Sequence, residues 1–271
     1  MAYNSPQRPL LVVDQMGREV RLSYPPLRIV SLVPSQTELL IDLGLRKQLV
    51  GVTKFCLHPA DARHTAQVIG GTKNFDLAKI SAIQPDLLIG NKEENYQEGI
   101  TELEKKYPVW MSNITSLPEA LDMMRRVGSL TGKQQLAEPL ANEISQSFAK
   151  LGSPSTLISA AYFIWRKPYM VAANGTFIND MLRRAGFQNV FAHLGRYPEV
   201  TPAQLAQAAP ARILLSSEPY PFQEKHFAEF QEICPTAKIQ VVDGELFSWY
   251  GSRLRRSAAY FQALRRELGV A

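Results

Sequence analysis

Apolar residues recur along this chain in two rhythms. Short unbroken runs fall at about residues 28–33 (RIVSLV), 49–53, 86–90 (DLLIG), 108–112, 157–164 (LISAAYFI), 168–172, 211–216 (ARILLS) and 237–243. Between most of them lie segments whose apolar positions repeat every three or four residues. Continuous runs bounded by turn residues suit strands buried on both faces, and the longer periodicity suits crossover helices. The pattern predicts an α/β protein built on parallel sheets. After the first run, PSQTELLIDLGL supplies a helix start. Ser35 or Thr37 is placed to cap it, Glu38 suits the positive end of its dipole, and Gly44 stops it.

The pattern also repeats. LAKISAIQPDLLIGNKEENYQEG, from Leu77, aligns with PAQLAQAAPARILLSSEPYPFQEKH, from Pro202, at a constant offset of 125 residues that pairs Pro85 with Pro210, Ile89 with Leu214 and Glu93 with Glu218. TELLIDLGLRKQLVGV is answered by TFINDMLRRAGFQNVF, with Gly44 matching Gly186. Two Rossmann-like lobes of similar plan are expected, over residues 1–115 and 153–271. Between them, residues 116–152 carry Leu117, Leu121, Met124 and Val127, then Leu136, Leu140, Ile144, Phe148 and Leu151, a connecting helix with one apolar stripe. Gly132 and Pro139 predict a bend or restart, because a proline inside a helix costs about 3 kcal/mol.

Ligands of parallel α/β sheets bind outside the carboxyl ends of the strands. Those ends here hold Phe55, Phe75, Tyr96, Trp165, Tyr169, Tyr197, Tyr220, Phe222, Phe247, Trp249 and Tyr250. Core packing would instead put aromatic rings inside strands and on helix stripes. Aromatic walls with a few polar handles describe a small-molecule site. The handles are Lys73, Asn74, Lys92, Glu93, Glu94, Arg166, Arg196, Glu199, Glu218 and Arg253.

Composition narrows the field. The net charge of +5 and a pI near 9.2 raise nucleic acid as a partner. However, the arginines gather in GSRLRRSAAYFQALRREL, the solvated face of a terminal amphipathic helix with Leu254, Ala258, Phe261, Leu264 and Leu268 on its apolar side, and no nucleic-acid motif accompanies them. Cys56 and Cys234 are far apart and read as free thiols. The N-terminal residues lack a signal-peptide pattern, and no apolar run of about 18 residues would span a membrane. The sequence therefore reads as cytoplasmic, or periplasmic if a leader has been removed.

No nucleophile elbow, P-loop or dinucleotide fingerprint is present. Adjacent Glu93 and Glu94 cannot face one another as an acid/base pair, though either could work with Glu218. His58, His64, His193 and His226 lack metal-ligand spacing, so a metal site would have to be assembled across the fold, with His58 and His226 as its ligands.

The segments DQMGREVRLSYPPLRIVSLVPSQTELLIDLGLRKQLVGVT, IGGTKNFDLAKISAIQPDLLIG and RYPEVTPAQLAQAAPARILLSSEP, with the long helix between, resemble the helical-backbone (class III) substrate-binding proteins of ABC transporters. That family captures cobalamin, iron-siderophores and haem. The resemblance implies two lobes joined by a backbone helix, a ligand between them and little hinge closure. Carried over by position, the cobalamin branch implies ligand contacts from the loops holding Phe55, Lys73, Asn74, Trp165, Tyr197, Trp249 and Arg253. The family also implies an acidic permease-docking residue in each lobe. The matching positions are Ala78 and Ala203, which counts against docking, with Asp76 or Glu199 as nearby substitutes.

The expectation is thus a non-enzymatic, monomeric binding protein without resident cofactor, holding a corrinoid, haem or ferric chelate. Its ligand-binding residues are Phe55, Lys73, Asn74, Lys92, Glu93, Trp165, Arg166, Tyr169, Arg196, Tyr197, Glu218, Tyr220, Trp249, Tyr250 and Arg253. Two alternatives stay open: a metal-ion receptor using His58, His226 and a cleft glutamate, and an enzyme with Glu93, Glu218 or Cys56 as its reactive group.

Overall fold

A computed structural model describes residues 8–154 and 156–269. The chain divides into two compact units. The first comprises the described residues through Ile114, Pro118–Glu143 and Tyr250–Arg253. The second comprises Thr115–Leu117, Ile144–Trp249 and the described residues from Leu254 onward. The division therefore falls inside the connecting segment, and four residues near the C-terminus belong with the first unit.

The first unit opens with an antiparallel hairpin, β1 (Arg8–Val13) and β2 (Glu19–Tyr24). The sequence reading missed it because β1 is largely exposed and its apolar pattern is weak. Asp14 shapes the turn: its carboxylate accepts from Met16 N and Arg18 N, both at 2.9 Å, and from Arg18 Nε at 2.8 Å. Next come β3 (Ile29–Ser31), α1 (Pro34–Asp42), β4 (Leu49–Val52), α2 (Ala62–Thr65), β5 (Gln67–Val68), α3 (Leu77–Ile83), β6 (Leu87–Asn91), α4 (Gln97–Glu104) and β7 (Val109–Ser112). The strands form a fully parallel sheet in the order β5-β4-β3-β6-β7. Every residue of β3 and β6 is buried, as a sheet covered on both faces requires. Helix α1 is capped differently from the expectation. Val33 is the N-cap, Pro34 opens the helix, and neither Ser35 nor Thr37 caps it. Proline's missing N–H and fixed φ suit that first position.

The connecting segment forms two helices, α5 (Leu117–Leu130) and α6 (Gln134–Leu151). The restart falls at Gly132, whose φ of +72° is a left-handed conformation that glycine adopts without steric cost. Pro139 lies within α6 without ending it.

The second unit contains β8 (Ile158–Trp165), β9 (Met170–Val171), α7 (Phe177–Arg184), β10 (Phe187–Asn189), α8 (Pro202–Ala208), β11 (Arg212–Ser216), α9 (Phe227–Ile233), β12 (Lys238–Val242), α10 (Gly244–Ser248) and α11 (Leu254–Leu268). The order β10-β8-β11-β12 is parallel, and β9 pairs antiparallel with β8. Successive residues of β8 serve opposite faces. Phe163 packs on Phe230 of α9 at 4.8 Å, while Tyr162 packs on Phe247 of α10 at 5.2 Å. Helix α11 buries Leu254, Ala258, Phe261 and Leu264 as expected, but Arg265 is buried too. Its guanidinium donates to the carbonyls of Leu151, Gly152 and Arg184, cations being favoured at the C-terminal ends of helices.

The repeat seen in the sequence holds element by element. Helix α3 and strand β6 match α8 and β11 residue for residue at the same offset, as the bounds above give it. Asp76 and Thr201 cap the helices by accepting from Lys79 N and Gln204 N, and both helices end in a left-handed residue, Gln84 at φ +50° and Ala209 at φ +42°. Gly44 and Gly186 also share a positive φ.

Candidate functional site

In each unit the strand order reverses direction at one place, between β3 and β6 in the first and between β8 and β11 in the second. Ligands of open α/β sheets bind at the carboxyl ends beside such a reversal.

In the first unit this edge is lined by a buried polar network. Gln36 Nε2 and Asn91 Nδ2 donate to Ser112 Oγ at 2.6 and 3.0 Å, and Ser112 Oγ donates to Gly90 O at 3.1 Å. Asn95 Nδ2 ties Leu32 O and Thr72 O, while its Oδ1 accepts from Asn91 N at 2.9 Å. Asn91 Oδ1 then accepts from Glu93 N at 2.8 Å and Glu94 N at 3.2 Å, fixing both glutamates just past the strand. Lys73 donates to the Glu93 carbonyl. Asn74 and Phe55 crowd Gly71, where an added Cβ would lie 2.3 Å from Asn74 Oδ1 and 3.2 Å from the Phe55 ring. Phe55 itself is 48% exposed, with Lys54 Nζ 5.0 Å from its centroid. Lys92 is exposed.

Tyr250 and Arg253 complete this unit. The Tyr250 hydroxyl donates to Glu94 Oε1 at 2.7 Å, and Arg253 pairs with Glu38. Both side chains are buried, and burial together with Glu94 raises the Tyr250 pKa well above its ordinary value.

In the second unit, Ser216 at the end of β11 accepts from Tyr162 Oη at 3.1 Å and from Glu218 N at 3.4 Å. The Glu218 carboxylate takes Ser248 Oγ at 2.7 Å and Trp249 Nε1 at 3.0 Å, both on Oε1. Burial pushes its pKa upward, and the nearby Glu245 and Asp243 charges add to the shift. At the end of β8, Trp165 is 39% exposed and stands edge-on to Tyr220 at 5.7 Å. Tyr220 in turn packs on Phe222 and His226. Arg166 pairs with Glu229 at 2.6 Å, and the Tyr169 hydroxyl donates to the same carboxylate. A shallow cavity of about 390 Å³ lies beside them, lined in part by Tyr169, Glu199 and Thr201. Arg196 is exposed and Tyr197 half-buried, on a segment that runs alongside β9 through bonds such as Val171 N to Pro198 O.

The structure thus sorts the residues named from sequence. Phe55 and Trp165 are the substantially exposed aromatic residues among them. Phe75, Phe222 and Phe247 are core, and Trp249 is only 8% exposed. Among the described residues no group of three or more His, Cys, Asp or Glu is placed to hold a metal ion. His226 is buried, and its Nδ1 accepts from Gln223 N at 2.9 Å. Cys56 and Cys234 are free and buried. Cys56 lies beside the Thr37 and Thr53 hydroxyls, and burial raises its pKa, the opposite of what a nucleophile needs. Sequence reasoning missed the network of Gln36, Asn91, Asn95 and Ser112. Its only signal was a polar residue closing each buried run, in LLIGN and VWMS.

No helix among the described residues is long and apolar enough to cross a membrane. The chain is 23% identical over 256 residues to the vitamin B12-binding protein of Pectobacterium atrosepticum, covering 91% of each chain. It is 26% identical over 196 residues to that of Photorhabdus laumondii, covering 70% of this chain and 71% of that one. Its fold is shared with the periplasmic vitamin B12 binding protein BtuF of Vibrio cholerae, at TM-score 0.78 and 19% identity over 91% of this chain and 99% of that one. It is likewise shared with the periplasmic heme-binding protein RhuT of Roseiflexus sp. RS-1, at TM-score 0.78 and 19% identity over 89% and 98%. The sequence profile of the periplasmic binding proteins matches residues 29–233, which takes in the sheets of both units from β3 through β11. This chain belongs to the periplasmic binding protein family, a family of substrate-binding proteins and not of enzymes.

Proposed function

We propose that the protein captures a corrinoid and holds it non-covalently as cargo, with no resident cofactor. The observation that carries this reading is Trp165. It is a large apolar ring left exposed at the strand reversal of the second sheet and braced by Tyr220. Phe55, past the end of β4 in the first unit, is likewise exposed. Exposed aromatic faces at a ligand edge suit stacking on a flat macrocycle. The vitamin B12-binding relatives, one of them matched over 91% of both chains, point to the same class of ligand.

The test is a titration with hydroxocobalamin followed by visible absorbance, using the wild type, Trp165→Ala and Phe55→Ala. Saturable one-to-one binding is expected, weakened about tenfold in the variants, the upper end of a 0.5–1.5 kcal/mol stacking contribution. A wild type that does not saturate, or that binds hemin and no corrinoid, would overturn the reading.

Substrate-binding proteins of ABC transporters bind small ligands and work with permeases. The first turns of α3 and α8 carry no acidic residue, and Ala78 and Ala203 are exposed there. This favours a permease contact that does not rest on carboxylates at those positions. The named structural relatives are periplasmic, which supports the periplasmic branch of the expected location.

A further inference from the structure

We infer that Glu93 and Glu218 are a matched pair of specificity-determining carboxylates that select a ligand whose rim donates hydrogen bonds, as primary amides do, over the same ring bearing carboxylates. The inference rests on the corrinoid reading above and specifies its chemistry.

The two glutamates are equivalent by the internal repeat. Each lies two residues past the strand that flanks its sheet's reversal, β6 for Glu93 and β11 for Glu218. Each is positioned by the same device, the last side chain of the strand accepting from the glutamate's backbone N–H. Asn91 Oδ1 accepts from Glu93 N at 2.8 Å and Ser216 Oγ accepts from Glu218 N at 3.4 Å. The two copies of this helix-strand unit thus each place an acid where open α/β sheets take their ligands.

At Glu218 the surroundings are built for the carboxylate. Ser248 Oγ and Trp249 Nε1 converge on its Oε1 alone. Gly244 leaves the room it occupies, since a Cβ there would lie 2.3 Å from Ser216 Oγ and 2.7 Å from Glu218 Cγ. Several cations that would favour an anionic rim are already engaged by the protein: Lys73 by the Glu93 carbonyl, Arg166 by Glu229 and Arg253 by Glu38. A carboxylate accepts well from an amide N–H and repels another carboxylate, so discrimination comes from repulsion as much as from attraction.

Matched probes test this: dicyanocobinamide, whose ring bears amides, and dicyanocobyrinic acid, whose ring bears carboxylates. Dissociation constants are measured by absorbance for the wild type, Glu218→Gln and Glu93→Gln, with thermal melts of each. The wild type is expected to prefer the amide ring at least tenfold. Each variant should narrow that ratio about tenfold by binding the acid more tightly and the amide more weakly, a crossed change that loss of packing would not produce. Should one variant melt early, its counterpart in the other unit carries the same test. Equal affinity for the two rings, or a ratio unchanged in both variants, overturns the inference while leaving the corrinoid reading in place. Failure of the wild type to bind either ring overturns both.

Discussion

Arg253 grips Glu38 through two parallel hydrogen bonds, Nε to Oε2 at 2.9 Å and Nη2 to Oε1 at 2.8 Å, across 215 residues of sequence. Arg253 is only 5% exposed, so deleting it strands a carboxylate in a poorly solvated place. Arg253→Ala is expected to cost about 3 kcal/mol of stability in urea unfolding. Arg253→Lys should not restore it, because an ammonium cannot reproduce the fork. A cost below about 0.5 kcal/mol, the range of ordinary surface changes, would show that the pair contributes little to the fold.

Trp165 and Trp249 of the second unit should behave oppositely. Trp249 is buried and bonded to Glu218, whereas Trp165 is exposed. Trp249→Ala is expected to destabilise by about 3–5 kcal/mol, and Trp165→Ala by less than about 1 kcal/mol while still lowering ligand affinity. Chemical denaturation of both variants beside the corrinoid titration separates the two roles.

Gln84 and Ala209 end the repeated helices in a left-handed conformation that only glycine adopts without steric cost. Gln84→Gly and Ala209→Gly should each stabilise the protein by about 0.5–1 kcal/mol. A loss of stability on either substitution would argue against the left-handed caps.

Glu218 predicts a signed pH dependence. Burial raises its folded-state pKa above the unfolded value, so its contribution favours the fold while the carboxyl is protonated and is lost as pH rises through the folded pKa. Glu218→Gln keeps an oxygen to accept from Ser248 and Trp249 but removes the charge. The variant's melting temperature should therefore exceed that of the wild type by a margin that is smallest near pH 4 and widens toward pH 7. A margin independent of pH would contradict the assignment.

Both thiols should resist modification in the native state. Cys56 and Cys234 are buried, and burial raises the pKa of each. Ellman's reagent at neutral pH is expected to label neither within minutes, and both once the protein is unfolded. Rapid native labelling of Cys56 would revive it as a reactive group.

What the sequence disclosed follows from where the physics is local. The buried runs of β3, β6, β8 and β11 stood out because both faces of each strand must be apolar, and the repeat stood out because helix, cap and strand are short-range units. The hairpin of β1 and β2 escaped notice because half its residues face solvent. At the site, the reading collected aromatic residues by their position after strands, and position does not say which way a ring turns. Phe247 and Trp165 look alike in one dimension, yet Phe247 lies against Tyr162 and Phe261 while Trp165 keeps an exposed face. The partners of Glu94 and Glu38 lie so far along the chain that no local pattern could announce them.

That distance has a consequence for how the chain is made. The first unit draws Tyr250, Gly251, Ser252 and Arg253 from a stretch that leaves the ribosome roughly 110 residues after Glu143. At about 5–20 residues per second, a nascent first unit waits several seconds or more with Glu38 and Glu94 lacking these partners. A fragment ending at Glu143 would stay in that unfinished condition permanently. The first unit reaches its full stability only after Arg253 has been made, by which point the strands β8 through β12 of the second unit have already been synthesised, though its helix α11 has not.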